Sequence, residues 1–163
     1  MTEQPPHPAL LPTSNGLVCA TPGCATLLAA NAEICDECGG TTLYPLASLP
    51  ALLCGWAGDR PVVFGLDPDR GMLVGRSSTD EPAPDIDLTR FPGSSAVHRR
   101  HVSLAANGRV WRVTQLGTNP TVIVGHRRQP LTTGSTAELR HGDSVEIAGI
   151  RLTLVVRDSG LFT

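Results

Sequence analysis

Short apolar runs that alternate with turn signals dominate the chain from about residue 51 onward. Runs of this kind, repeating at a spacing of about 8–12 residues, are typical of the strands of a β-sandwich or barrel. No stretch after residue 50 shows the i, i+3, i+4 apolar spacing of an amphipathic helix. The sequence therefore predicts an all-β fold with few helical residues. The runs are PVVFGL, GMLVGR, DIDL, RHVSLAA, RVWRVTQL, PTVIVG, SVEIAG and IRLTLVV.

Two of these runs predict how their strands are covered. In Val110–Thr114 we place the valines on one face, while Trp111 and Thr114 do not fall simply on the other. We therefore expect that strand to be covered on both sides. In Arg151–Val156 the leucines share one face with Val156, which predicts a last strand with one side in the core.

Four of the five cysteines form two close pairs, Cys19-x4-Cys24 and, after ten residues, Cys35-x2-Cys38. Four thiolates in two pairs can surround one tetrahedral Zn²⁺, and so short a segment needs a metal to fold. We therefore predict a zinc-ribbon-like segment with one structural Zn²⁺ per chain. A redox Cys-x-x-Cys and unrelated buried cysteines are the alternatives. Cys54 lies outside this spacing, in the apolar run LLCGW, and is predicted to be a buried core thiol.

Changes in composition divide the chain into segments. Residues 1–16 contain four prolines and no periodicity, so they are predicted to be a flexible tail. The zinc-ribbon-like segment would cover residues 17–44, a linker residues 45–50, and the β-sandwich residues 51–157. Residues 158–163 would form a C-terminal tail.

Charge is distributed unevenly between these segments. All 13 basic residues are arginine and the first is Arg60, so residues 1–59 carry a formal charge of −5 and residues 60–163 carry +3. Affinity for nucleic acid depends on neutralising phosphates, so the ribbon is not expected to bind nucleic acid. An adaptor surface or a structural cap is the expected role of the ribbon.

Three turns between the predicted strands carry groups that suit a phosphate. They are GRSS at residues 75–78, VHRRHVSL at residues 97–104 and LGTNPT at residues 116–121. An arginine fork beside hydroxyl and amide groups offers a phosphate both charge and oriented hydrogen bonds. An ordinary solvated basic face is the simpler alternative.

Residues from about 51 to 157 resemble a forkhead-associated (FHA) domain. The family's landmarks occur in order: LVGR, DIDL, HRRHVSL, LGTNPT, VGHRRQPL and LRHGDSVEIAG. The resemblance implies an eleven-stranded β-sandwich that binds phosphothreonine peptides through loops at one end.

The resemblance also implies roles for individual residues. Arg76 would pair with the phosphate, and Arg99 would assist the phosphate or the peptide. Thr118 would contact the phosphothreonine, and Asn119 would hydrogen-bond the peptide backbone beside it. His101 would brace its loop, and the glycine before Arg76 would be structural.

One departure from the family concerns the serine of its Ser-x-x-His motif, which aligns with His98 here. Histidine is bulkier than serine, although it can still donate to a phosphate, most strongly when protonated. An alternative alignment pairs Ser95 with His98, but Val102 and Leu104 then lose their strand register. The loop LGTNP also looks one residue shorter than usual. The pocket therefore either binds phosphothreonine with altered affinity or is degenerate and binds an unphosphorylated partner.

Other classes of function have little support in the sequence. It contains no G-x-S-x-G, Walker A or H-E-x-x-H motif, and four cysteines would close the coordination sphere of a zinc ion, so an enzyme is not expected. No apolar run reaches the roughly 18 residues of a membrane span, and the N-terminus lacks signal-peptide features. A cytoplasmic location is the expectation.

These observations together predict a phosphothreonine-peptide-binding adaptor in Ser/Thr kinase signalling. Its expected partners are a phosphothreonine-containing protein and an upstream Ser/Thr kinase, and neither nucleic acid nor a membrane. The alternative is a degenerate FHA domain that mediates phospho-independent protein–protein interaction.

Overall fold

The computed structural model of this chain describes residues 16–21 and 23–157. Most of the predicted N-terminal tail and all of the predicted C-terminal tail lie outside the described residues. No helix in the described part of the chain is long and apolar enough to cross a membrane.

The described residues form three β-sheets. A small antiparallel sheet contains β1 (Leu17–Cys19), β2 (Leu27–Leu28) and β3 (Leu43–Pro45), in the order β2-β1-β3. The remaining strands are β4 (Ala51–Ala57), β5 (Arg60–Gly65), β6 (Met72–Gly75), β7 (Ile86–Asp87), β8 (Val102–Asn107), β9 (Val110–Gln115), β10 (Thr121–Val124), β11 (Arg128–Pro130), β12 (Thr136–Leu139), β13 (Ser144–Ile147) and β14 (Ile150–Val156).

These eleven strands form the two sheets of a sandwich. One sheet has the order β11-β10-β13-β14-β4-β5, and the other has the order β12-β9-β8-β6-β7. All strand pairs are antiparallel except β6 with β7. Helical structure in the described residues is limited to two 3-10 turns, Leu46–Ser48 and Ser94–Ala96. The predicted all-β, eleven-stranded sandwich is confirmed.

The core lies between the two sheets and is mainly aliphatic. Leu53, Leu152 and Leu154 face it from the first sheet and Val102 and Val113 from the second, and all five are fully buried. With few aromatic residues in the chain, close packing of branched aliphatic side chains supplies most of the apolar burial. The predicted inward face of β14 is confirmed, with Val156 partly buried at its end.

The prediction for β9 was wrong. Trp111, Val113 and Gln115 are buried, whereas Arg112 on the opposite face is exposed. Val110 and Val113 are three residues apart, and successive side chains of a strand point to opposite faces. The two valines therefore cannot share a face, and β9 is covered on one side.

The ribbon sheet packs against the outer face of β4 and β5. Leu52, Cys54 and Val63 point outward from these strands and form a second apolar cluster with Val18 and Leu46. Cys54 is fully buried there, as the sequence predicted, although it lies under the ribbon and outside the central core. Leu46 and Leu49, in the predicted linker, also pack on this cluster.

Backbone hydrogen bonds join the ribbon to the edge of the sandwich. The Val63 amide donates to the Ala25 carbonyl at 2.8 Å, and Thr26 forms an isolated antiparallel bridge with Val62. The ribbon therefore pairs with edge strand β5 in addition to covering its outer face.

Candidate functional site

Arg76 directly follows β6, at the end of the sandwich where several loops meet. Its backbone amide donates to the His98 carbonyl at 3.1 Å, and its Nε donates to the Val97 carbonyl at 3.0 Å. These two bonds fix the guanidinium against the loop between β7 and β8. Its two Nη groups have no protein partner among the described residues, so they are free to bind a ligand.

Gly75 allows that loop to approach β6 closely. A Cβ at this position would overlap the Arg99 carbonyl oxygen and would lie 2.6 Å from its carbonyl carbon and 2.9 Å from the His98 carbonyl oxygen. Because these are backbone atoms, they cannot move aside as a flexible side chain would. Gly75 is therefore required where the loop between β7 and β8 meets the end of β6.

His98 connects two loops: the loop between β7 and β8, called the second loop, and the loop between β9 and β10, called the third loop. Its Nε2 accepts a hydrogen bond from the Asn119 backbone amide at 3.1 Å and lies 3.1 Å from the Thr118 hydroxyl. A backbone amide can only donate, so Nε2 carries no proton in this arrangement and the Thr118 hydroxyl donates to it. The ring packs against Gly117, where a Cβ would lie 2.8 Å from the ring Cγ.

His101 is fully buried beneath this contact. Its Nδ1 accepts a hydrogen bond from the His98 amide at 3.1 Å, and its carbonyl accepts from the amides of Leu116 and Gly117. Burial, with a smaller contribution from His98, lowers the pKa of His101 below its ordinary value. His101 is thus a neutral residue that braces both loops.

The third loop is also held from below by Gln115, which sequence reasoning missed. The Gln115 side-chain amide donates to the carbonyls of Gly117, at 3.0 Å, and Asn119, at 2.8 Å. The Asn119 side chain in turn donates to the Ala96 carbonyl at 2.7 Å, which leaves its Oδ1 available as an acceptor. A buried polar residue at the end of an apolar strand is the only signal that could have drawn attention to Gln115.

The structure brings four of the five predicted phosphopeptide residues together. Arg76, His98, Thr118 and Asn119 are linked through the loop contacts just described. Arg99 is exposed, its carbonyl lies against Gly75, and its guanidinium has no partner among the described residues.

A second hydrogen-bond network lies beside Arg76 and was not anticipated from the sequence. Asp87 Oδ1 accepts from the amides of Ser77, at 3.2 Å, and Thr89, at 3.0 Å. The hydroxyls of Ser77 and Thr89 are 2.9 Å apart, and Ser94 Oγ donates to the Thr89 carbonyl at 2.7 Å. The network fixes the residue after Arg76 against the start of the loop between β7 and β8.

The four predicted metal ligands, Cys19, Cys24, Cys35 and Cys38, form one cluster. Their Sγ atoms lie within 4.8 Å of one another, and none forms a disulfide. The Cys19–Cys38 and Cys24–Cys35 sulfur distances are 3.5 and 3.7 Å, whereas Zn–S bonds of about 2.3 Å in a tetrahedron place sulfurs about 3.8 Å apart. The cluster can therefore hold a metal ion with little rearrangement.

The surroundings of the cluster affect its thiols differently. Hydrogen bonds from the Thr21 hydroxyl and the Gly40 amide lower the pKa of Cys38, and the Gly40 amide lies 3.4 Å from its sulfur. Burial raises the pKa of Cys19. Amide donors aimed at a sulfur favour a thiolate, the form that binds metal.

Two arginines of the sandwich bind the turn that carries Cys35 and Cys38. Arg60 pairs with Asp36 through two hydrogen bonds, of 2.7 and 3.1 Å. Arg90 Nη2 lies 3.3 Å from Glu37, while its Nη1 donates to the Cys24 carbonyl at 2.6 Å. The acidic ribbon is therefore docked on the sandwich through specific ion pairs.

The structure is a β-sandwich with several loops gathered at one end, and docked on its edge is a ribbon whose four cysteines could hold a metal ion. The family model of the FHA domain matches residues 72–148. This part of the sandwich is therefore similar to FHA domains. A comparison with curated proteins finds no match.

Solved FHA domains share the fold at low sequence identity. The FHA domain of human APLF, in complex with an XRCC1 bisphospho peptide, is 20% identical, with a TM-score of 0.50 over 66% of this chain and 99% of that chain. The FHA domain of CT664 from Chlamydia trachomatis is also 20% identical, with a TM-score of 0.50 over 66% of this chain and 97% of that chain. At this identity the comparison establishes the fold alone.

Proposed function

We propose that this chain is an adaptor that binds phosphothreonine peptides at the loop end of its FHA domain. The observation that carries the proposal is Arg76, whose guanidinium is fixed by the Val97 carbonyl and keeps both Nη groups unpartnered among the described residues. The FHA domain of human APLF was solved with a bisphospho peptide, and a further similar FHA structure comes from a study of phosphothreonine-dependent interactions.

In this proposal each loop residue has a distinct role. A phosphothreonine carries a charge of about −1.5 to −2 at neutral pH, and Arg76 would pair with it through two donors. Arg99 would add a second positive charge from the rim, and the Thr118 hydroxyl would bind a phosphate oxygen. Asn119 Oδ1 would accept a hydrogen bond from the peptide backbone.

His98 would have to change its hydrogen bonding when a phosphate binds. Its Nε2 accepts from the Asn119 amide, and an unprotonated nitrogen cannot donate to a phosphate oxygen. A bound dianion would favour a proton on His98, which would then donate to the phosphate. This internal contact is also what favours the second candidate function, a phospho-independent interaction, because His98 already occupies the contact that a ligand would make.

Binding to a phosphothreonine peptide library tests the first function. We expect selected peptides to bind the wild-type protein and Arg76→Ala to abolish binding, because the phosphate loses its paired charge. Calorimetric titration of matched phosphorylated and unphosphorylated peptides provides the measurement. Equal affinity for both forms would favour the phospho-independent function instead.

A His98→Ser variant is the matched control for the pocket. Serine restores the hydroxyl of the family motif, so phosphopeptide affinity should be kept or raised. Any extra affinity of the wild type at acidic pH should disappear in this variant. A complete loss of binding would mean that His98 has a role other than the one proposed.

The wider setting belongs to the same proposal. A phosphothreonine ligand requires an upstream Ser/Thr kinase, and the partner would be the protein that this kinase phosphorylates. A cytoplasmic location and a role without enzymatic activity complete the proposal. The predicted segments, with the ribbon at residues 17–44, a linker at 45–50 and the sandwich at 51–157, describe its domains.

We propose further that the four cysteines hold one structural zinc ion. The sulfur distances near those of a tetrahedron and the amide of Gly40 directed at Cys38 support this assignment. Elemental analysis of the purified protein should find about one zinc per chain, and substitution of Cys35 and Cys38 by serine should remove it. Intact thiols without zinc would rule out the ribbon as a zinc site.

A further inference from the structure

Arg90 connects the metal cluster to the loops that surround Arg76. Its Nη1 donates to the Cys24 carbonyl at 2.6 Å and to the Thr26 hydroxyl at 2.9 Å, and it lies 3.5 Å from the Cys24 sulfur. Thr26 is fully buried, and only 22% of the Arg90 side chain is exposed. One guanidinium therefore contacts both cysteine-bearing turns of the ribbon: the turn with Cys24 directly, and the turn with Cys35 and Cys38 through Glu37.

The backbone around Arg90 is continuous with the proposed phosphate site. The preceding residue, Thr89, belongs to the hydrogen-bond network of Asp87 and Ser77, and Ser77 follows Arg76 in the chain. The amide of Leu88 also donates to the Gly75 carbonyl at 2.8 Å. Displacement of Arg90 would therefore loosen the segment on which Arg76 rests.

The ribbon makes a second approach to the same network. A Cβ on Gly23, the residue before Cys24, would lie 3.5 Å from Asp87 Oδ2. The turn that carries Cys24 thus lies beside the Asp87 carboxylate, which holds Ser77 and Thr89. Both approaches come from the turn that carries Cys24, one of the four predicted metal ligands.

We infer that Arg90 is a positioning residue through which the metal-loaded ribbon holds the phosphate-binding loops in place, so that metal and phosphopeptide bind cooperatively. The inference rests on the proposed phosphopeptide function. Four thiolates around a divalent ion carry a formal charge of −2, which favours the nearby guanidinium. Loss of the ion would release the turn that carries Cys24, which Arg90 binds.

Arg60 supplies a matched control within the chain. It binds Asp36 and Glu37 of the same ribbon turn, and 28% of its side chain is exposed, close to the value for Arg90. It lies on β5, however, and its side-chain hydrogen bonds and ion pairs within the described residues are to Asp36 and Glu37, not to residues 87–98. Arg60→Ala and Arg90→Ala therefore both weaken ribbon docking, but only Arg90→Ala should affect the loops.

The first experiment measures affinity for the tightest peptide from the phosphothreonine library. Coupling between sites is usually about 5-fold or more, so we expect Arg90→Ala to weaken binding by at least about 5-fold. Arg60→Ala should change affinity by less than about 2-fold, because its contacts end at the ribbon. Unchanged affinity in Arg90→Ala, or equal losses in both variants, would overturn the inference.

The second experiment uses the reciprocity of coupled binding. If metal strengthens phosphopeptide binding, the phosphopeptide must strengthen metal binding by the same factor. Saturating peptide should therefore lower the amount of zinc that a competing chelator removes at equilibrium from the wild type, and not from Arg90→Ala. A residue with only a structural role would not produce this difference, and no peptide effect in the wild type would contradict the inference.

Hydrogen exchange of the ligand-free 163-residue chain separates this inference from the proposed function. We expect faster amide exchange in residues 88–98 after zinc removal and in Arg90→Ala, relative to Arg60→Ala. This result would support the ribbon–loop connection even if no phosphopeptide bound, in which case only the proposed function would fail. Exchange in residues 88–98 that is unaffected by either change would refute the connection itself.

Discussion

At the residue scale, the His98 ring joins two loops at the end of the sandwich. His98 places this planar ring between the two loops, and it uses Nε2 as an acceptor within the protein. Room for that ring comes from Gly117, whose missing side chain lets the third loop lie against it. The large His98 side chain and the missing side chain of Gly117 therefore depend on each other.

This dependence predicts non-additive effects of substitution. Gly117→Ala should lower the free energy of unfolding by about 1–3 kcal/mol, because the new methyl group overlaps the His98 ring. In a His98→Ser background the same change should cost less than half as much, because the ring is gone. Urea denaturation of the two single variants and the double variant gives the coupling, and additive costs would mean that the ring and Gly117 do not interact.

At the scale of elements, the end of the sandwich that carries Arg76 is built by loops that strands β6, β8 and β9 hold from below. His101, at the start of β8, donates through its amide to the Val74 carbonyl and accepts from the third loop through its own carbonyl. Its buried ring completes the brace by accepting from the His98 amide. The loops are therefore fixed by a residue that is neutral when folded.

The buried imidazole predicts a pH dependence of stability. Burial lowers the pKa of His101 below its ordinary 6.5, so below that pH the unfolded chain binds a proton that the folded chain does not. The unfolding free energy therefore falls as the pH drops below 6.5, by about 1.4 kcal/mol for each unit by which the pKa is lowered. In His101→Asn the loss between pH 7.5 and 5.5 should be smaller, as measured by urea denaturation at both values, and identical slopes would contradict this account.

Strand patterns in the sequence predicted most of these elements, and the exceptions have physical causes. β11 is fully exposed and so lacks alternation between apolar and polar residues, while only Ala137 and Leu139 of β12 are buried. β11 therefore has no period, and the two alternations of the four-residue β12 are too few to stand out in the sequence. Gly75, Arg76 and Asn119 could be selected because they belong to loop motifs. Gln115 binds carbonyls two and four residues away that only the folded turn brings to its side chain, and Arg90 acts through contacts with residues distant in sequence. Such contacts leave no local pattern to detect.

At the scale of the whole molecule, the uneven charge of the sequence is resolved by contact between its two parts. The acidic ribbon places Asp36 and Glu37 against Arg60 and Arg90 of the sandwich. Below the ion pairs, the ribbon covers an apolar face of β4 and β5 that includes Cys54. The segment that holds the four clustered cysteines is therefore also part of the second hydrophobic core.

Metal removal should consequently expose Cys54, although it is not a ligand. Cys54 is fully buried, and its cover depends on a segment too short to fold on its own core. We expect little alkylation of Cys54 in the zinc-loaded protein and much faster alkylation after chelation, measured by mass spectrometry of its peptide. The urea-unfolded protein sets the maximum rate, and continued protection after zinc loss would show that the ribbon stays docked without metal.

The pairing of the ribbon with β5 also bears on where this chain can be divided. The family match begins at residue 72, and a fragment beginning at Ala51 would keep all eleven sandwich strands. It would nevertheless leave the Val63 amide and the side chains of Leu52 and Val63 open to water. An exposed strand edge beside an apolar patch is a template for aggregation, so such a fragment is expected to associate with copies of itself.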